Sequence, residues 1–147
     1  MSDESPQVNV PAELLPGASR PAEHAEVTAN AAELDAQAFA IQAARIAAET
    51  RCDDVVVIDL RGLSGVADFF VLGTGTSDRQ MRATLEKIAE SARGVKRRPF
   101  RSSSADPTWT LADYVDVIVH LFDSQHRAYY DLDSLWGDAP RVAWQPE

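Results

Sequence analysis

The stretch FFVLGTGTSDRQ, residues 69–80, constrains the chain more than any other. Phe69 to Leu72 is apolar at every position, the pattern of a strand covered on both faces. Gly73 and Gly75 then turn the chain, and Thr76 or Ser77 caps a helix. That helix is expected over about 77–93, where Met81, Leu85, Ile88 and Ala92 keep the spacing of one buried face. A strand that feeds a helix through a glycine turn predicts the α/β class.

The flanking segments agree. DAQAFAIQAARIAAETR, from Asp35, is alanine-rich and sets Phe39, Ala43, Ile46 and Ala47 on one helical face. VVVID predicts a strand near 55–60, and DFFVL a second near 67–72. After Gly94 come a short basic strand around 97–101, the loop SSSADP, and two strands, TWTLADY and DVIVHLF. A short helix containing HRAYYDLDSLW ends the series. The order αββαβββα predicts a single domain with a mixed β-sheet flanked by helices. Residues 35–140 form that domain, with 1–34 as a disordered or loosely attached extension and 141–147 as a short tail. Four of the eight prolines fall in the first 21 residues, and the extension carries six acids against Arg20. It therefore holds more than half of the net charge of -9.

The glycine turn invites a phosphate, but the neighbouring residues do not fit one. A P-loop needs a lysine followed by Ser or Thr after the turn, and here Thr76, Ser77, Asp78 and Arg79 follow. A dinucleotide fingerprint needs a third glycine where Asp78 stands. Asp78 already offers a negative charge to the helix N-terminus. Paired carboxylates for metal-assisted nucleotidyl transfer fail too, since VVVIDLRG has one acid on its strand. Ser102 to Ser104 lie in a loop with no nucleophile elbow, and Cys52 reads as a buried or incidental thiol. One cysteine and three scattered histidines give no disulfide framework or zinc site. No catalytic residue, metal or cofactor is expected. No apolar run approaches the roughly 18 residues a membrane span needs, and the first residues lack a signal-peptide pattern. A cytoplasmic protein is expected.

The last strands carry more. In VDVIVHLF, Val115, Val117, Val119 and Leu121 form a plain core face, and Asp116, Ile118, His120 and Phe122 point the other way. The second set is expected to be a half-exposed face, with Trp109 and Tyr114 of the neighbouring strand lining the same surface. Between Asp113 and Asp138 lie six aspartates and one arginine, Arg127. Such a surface suits a basic partner and repels bare nucleic acid. Arg93, Lys96, Arg97, Arg98 and Arg101 form the opposite case, a basic run that serves either phosphate contact or a solvated strand edge.

Several separated motifs, together covering about residues 35–140, resemble the ribosomal silencing factor family, also called Iojap-like. They are Ala67-Asp68-Phe69, the run Thr74-Gly75-Thr76-Ser77-Asp78-Arg79-Gln80, then Asp116-Val117-Ile118-Val119-His120, and Tyr130-Asp131-Leu132-Asp133-Ser134-Leu135-Trp136. The resemblance implies a nucleotidyltransferase-like fold without the catalytic signature. It implies binding to the fourteenth protein of the large ribosomal subunit (L14, uL14), blocked joining of the small subunit and lowered translation. By similarity the contact surface falls on Trp109, Tyr114, Asp116 and His120, with Arg79 added from the helix start. Apart from the resemblance, the basic run offers a candidate rRNA contact through Arg97, Arg98 and Arg101, and a homodimer is a further candidate partner. An assembly factor for the large subunit is the alternative within the class, and a nucleotide-binding or nucleotidyl-transferring enzyme the alternative outside it. Two departures stand out. Val115 replaces a glycine common in the family, which predicts an ordinary strand there, and SSSADP replaces a loop with Glu-Gly.

Overall fold

The structure, a computed structural model, describes residues 29–103 and 109–146, without the side chains of 29–34, Arg101 and Ser103. The first 28 residues and most of the SSSADP loop therefore lie outside it. Helix α1 (Ala29–Glu49) leads into strands β1 (Asp53–Asp59) and β2 (Phe69–Thr74), and helix α2 (Asp78–Gly94) follows. Strands β3 (Arg101–Ser103), β4 (Trp109–Asp113) and β5 (Val117–Phe122) come next. Helices α3 (Ser124–Tyr130) and α4 (Leu132–Leu135) and the short strand β6 (Arg141–Val142) complete the chain.

One six-stranded sheet runs in the order β3-β4-β5-β2-β1-β6. Only β2 and β5 pair in parallel, so the sheet is mixed as the pattern predicts. These two central strands are buried at every position. Their side chains alternate into two cores. On one face Val71, Val117, Val119 and Leu121 meet α1 and α2. Ala36, Ala40, Ala43, Ala44 and Ala47 of α1 are fully buried there, and their small side chains let the helix lie close on the sheet. On the other face Phe70, Leu72, Ile118 and Phe122 meet Leu60, Val66, Leu132 and Trp136.

Both long helices end the same way, and in neither is the left-handed residue a glycine. In α1 the Cys52 N–H bonds to Ala47 and the Arg51 N–H to Ala48, with Arg51 at φ 75°. In α2 the Arg97 N–H bonds to Ala92 and the Lys96 N–H to Arg93, with Lys96 at φ 62°. This is the Schellman pattern with a cation in the left-handed position. It also moves the basic strand. The Arg97 N–H is consumed in the helix end and Pro99 has none, so pairing starts at Arg101 rather than near residue 97.

The domain limits read from the sequence shift at both ends. The backbone is helical from Ala29, the first described residue, so the last residues assigned to the extension belong to α1. Residues assigned to the tail complete the fold, since Val142 and Arg141 pair with Val57 and Ile58. The Trp144 indole N–H then donates to the Val55 carbonyl at 3.0 Å. The expected last helix is two, divided at Asp131, whose φ of 52° breaks the turn while its side chain caps α4.

Candidate functional site

The glycine turn is a packing device. A Cβ on Gly75 would lie 2.3 Å from Met81 Cγ, and one on Gly73 would lie 3.0 Å from Leu121 Cδ2. Gln80 occupies the groups a phosphate would need. Its Oε1 accepts from the Thr76 N–H at 2.6 Å, and its own N–H donates to the Ser77 hydroxyl at 3.0 Å. Its amide nitrogen reaches back to the Thr50 carbonyl at 2.9 Å, tying α2 to the end of α1. The Gly75 N–H is spent on Phe122. Among the described residues no group of three or more His, Cys, Asp or Glu could hold a metal ion. Burial is the main influence on the Cys52 thiol and pushes its pKa up, the inert reading.

The five candidate contact residues do not share one surface. Trp109 and His120 come together, and the Trp109 indole N–H donates to His120 Nδ1 at 3.3 Å. Both are buried, His120 completely. Phe70, Phe122 and Tyr130 complete the cluster, with ring centroids 4.5 Å from His120 to Phe70 and 4.4 Å from Trp109 to Tyr130. Burial pushes the His120 pKa down to about 3, so the ring is neutral. Because Nδ1 accepts, the proton sits on Nε2, which is buried without a partner among the described residues. The half-exposed face expected here is closed, because α3, α4 and Trp136 lie over it.

Tyr114 lies on the opposite face of the sheet, five residues from Trp109, an odd spacing in an alternating strand. Its ring packs edge-on against Phe39 of α1 at 4.8 Å, and burial pushes its phenol up. Asp116 stands just ahead of β5 and receives two hydrogen bonds from Arg97, at 2.8 and 3.2 Å. Between them Val115 is no ordinary strand residue. Its φ is 78°, and the Asp116 N–H bonds to the Tyr114 carbonyl across it at 3.0 Å. That is a γ-turn of the strained kind, held by the Asp113 carboxylate, which accepts from the Val115 N–H at 2.7 Å. Arg79 is exposed in the first turn of α2. It follows the end of β2, at the Trp109 end of the sheet, with Tyr114 and Asp116 at the other.

Sequence reading missed the residue that fixes the aromatic cluster's cover. Arg127 of α3 grips Asp133 with two nitrogens, at 3.1 and 3.0 Å. It also donates to the Asp54 carbonyl at 2.6 Å and the Thr74 hydroxyl at 3.0 Å. Asp54, at φ 50°, sits in the bulge of β1 that turns its carbonyl outward. A lone arginine among aspartates was the available signal. The acidic surface is correspondingly smaller than six aspartates imply. Asp113 is buried, Asp116 and Asp133 are ion-paired, and Asp123 and Asp131 cap helices. Asp123, Asp131 and Asp138 keep exposure on the α3–α4 side, where Tyr129 and Leu135 are also exposed.

The sequence profile described as "Ribosomal silencing factor during starvation" matches residues 33–147. The chain belongs to the ribosomal silencing factor family. The family's match includes the C-terminal strand and Trp144. "Ribosomal silencing factor RsfS" of Bacillus subtilis is 37% identical over 94 residues, 63% of this chain and 79% of that protein. Chloroplastic "Protein Iojap" of Zea mays is 32% identical over 104 residues, 71% of this chain but 46% of the maize protein. Among solved structures, a Bacillus halodurans protein superposes with a TM-score of 0.60 at 29% identity, covering 75% of this chain and 98% of that one. A Chromobacterium violaceum protein gives 0.62 at 24% identity, covering 78% and 89%, a likeness of fold alone. No helix among the described residues is long and apolar enough to cross a membrane.

Proposed function

We propose that this chain is a non-enzymatic repressor of translation that docks on the fourteenth protein of the large ribosomal subunit and keeps the small subunit from joining. Family membership carries the reading. What supports it in the structure is the surface over Trp109 and His120, where exposed Tyr129 and Leu135 lie on helices bordered by Asp123, Asp131 and Asp138. Aromatic anchors inside an acidic rim suit a basic protein, and the rim speeds its capture. In this reading Trp109 and His120 hold α3 from beneath, and Tyr129, Tyr130 and Leu135 make the contact. Tyr114 and Asp116 shape the far hairpin turn instead. A body of this size on the intersubunit face blocks joining by occupying space, which needs no chemistry.

Titration of the purified fourteenth ribosomal protein by calorimetry tests the contact. Tyr129→Arg, in the last turn of α3 where a cation suits the helix dipole, is expected to weaken binding about tenfold or more while the fold survives. Unchanged affinity in that variant would move the contact off α3. No binding by the wild-type chain would remove the partner altogether.

A further inference from the structure

At the opposite end of the sheet, Phe100 is 73% exposed, the largest value among the described large apolar side chains. Its position is nonetheless fixed. The Phe100 N–H donates to the Asp113 carbonyl at 2.6 Å, and Arg101 next to it pairs with Asp113 in the β3–β4 ladder. Three residues earlier, Arg97 is clamped to Asp116 and lies 4.9 Å over the Phe39 ring. The backbone on both sides is held while the ring projects outward. Val95, 62% exposed, and Val115, 39% exposed, add apolar surface from the helix end and the γ-turn.

The surroundings are basic on a chain of net charge -9. Arg93, Lys96, Arg97, Arg98 and Arg101 run without an acid among them. Arg97 is consumed by Asp116, which leaves Arg93, Lys96 and Arg98 exposed in the segment that leads to Phe100. Lys96 occupies the left-handed position at the end of α2, where its side chain is exposed.

We propose that Phe100 and the exposed cations Arg93, Lys96 and Arg98 form a contact for single-stranded RNA, an unpaired base stacking on the ring while the cations take the flanking phosphates. A projecting aromatic ring with cations around it is the pattern of single-strand recognition, because every base offers a π-face and every linkage a charge. Duplex RNA offers no free base to the ring. An apolar protein partner would want a broad patch, and the cations at this site would stay unpaired in it. The RNA is ribosomal if the proposed function holds, so this inference rests on that reading for its source. The site then supplies a second contact, at the other end of β5 from the α3–α4 surface.

The full chain is titrated with a fluorescein-labelled single-stranded RNA of about 12 nucleotides, a length within single-strand site sizes, and with a duplex of the same sequence. The single strand is expected to bind more tightly than the duplex. Phe100→Ala is expected to weaken it by about 5-fold to 150-fold, the range of one lost base stack, and Phe100→Trp to retain it. Arg98→Glu should flatten the salt dependence. Equal binding by wild type and Phe100→Ala overturns the proposal. A photo-crosslinking residue at position 100 on isolated large subunits must label RNA; label on protein alone overturns it as well. Failure to sediment with large subunits would instead defeat the proposed function and leave the oligonucleotide result standing.

Discussion

The helix-packed face of the sheet buries Val71, Val117, Val119 and Leu121 against a row of alanines, while the opposite face buries Trp109, His120, Phe70 and Phe122 under short helices. The first face is mostly apolar, with the hydroxyl pair Thr50–Thr84 at 2.6 Å and a buried Tyr114 hydroxyl that has no hydrogen-bond partner among the described residues. The second face encloses an indole–imidazole pair whose Nε2–H has no partner among them. Burying such a group costs free energy that an aliphatic pair would not. The difference teaches that the second face, unlike the first, carries the constraint of keeping a histidine neutral in its core. In the proposed function that face supports the docking helices.

Breaking the first face should cost most. Ile88→Ala, fully buried on α2, is expected to lose about 3 kcal/mol of stability, measured by urea unfolding. Its affinity for large subunits, measured where it remains folded, should stay near wild type. A comparable loss of affinity would blur the division between the faces.

Acid should single out the second face. Unfolded His120 titrates near 6.5 and folded His120 near 3, so below 6.5 the unfolded chain binds a proton that the folded chain does not. The stability from the neutral ring is therefore complete above that value and falls as the pH drops towards 3. By pH 5 the loss is about 2 kcal/mol, from 1.36 kcal/mol per pKa unit. Arg61 holds the Asp59 carboxyl below its ordinary value, so the contribution of Asp59 is lost only at more acidic pH. His120→Asn keeps an acceptor near the Trp109 indole and removes the titration. Its unfolding free energy should vary distinctly less between pH 7 and 5 than that of the wild type, and an unchanged slope would show that another group is responsible.

Two smaller effects sharpen the comparison at the sheet's basic end. Val115→Gly relieves a β-branched residue held at φ 78° and is expected to add about 1 kcal/mol. Lys96→Gly, at the end of α2, should add somewhat less, about 0.5 kcal/mol. Thermal unfolding of both variants reads these gains, and a loss in either would mean that the side chain's contacts outweigh the backbone strain.

The strands and long helices were legible because their signals are local. Alternation, the buried stripe on α2 and the alanine face of α1 each sit within one element. The Ser77 cap was equally local, residing in four consecutive residues. What escaped depends on contacts far apart in sequence. The burial of His120 follows from α3 and Trp136 closing over it. The grip of Arg127 on a carbonyl 73 residues away has no local signature. Val115 read as strand because β-branched residues favour strands. The turn of the three residues between β4 and β5, Tyr114 to Asp116, with Asp113 poised to accept, was decided by the hairpin it had to close.

Sedimentation of purified large subunits with this protein, followed by addition of small subunits, tests the central claim most directly. Occlusion predicts that the protein travels with the large subunit and that the joined peak shrinks as its concentration rises, with Tyr129→Arg restoring that peak. A protein that travels with the large subunit while joining proceeds at its normal level would contradict occlusion and leave subunit assembly as its task.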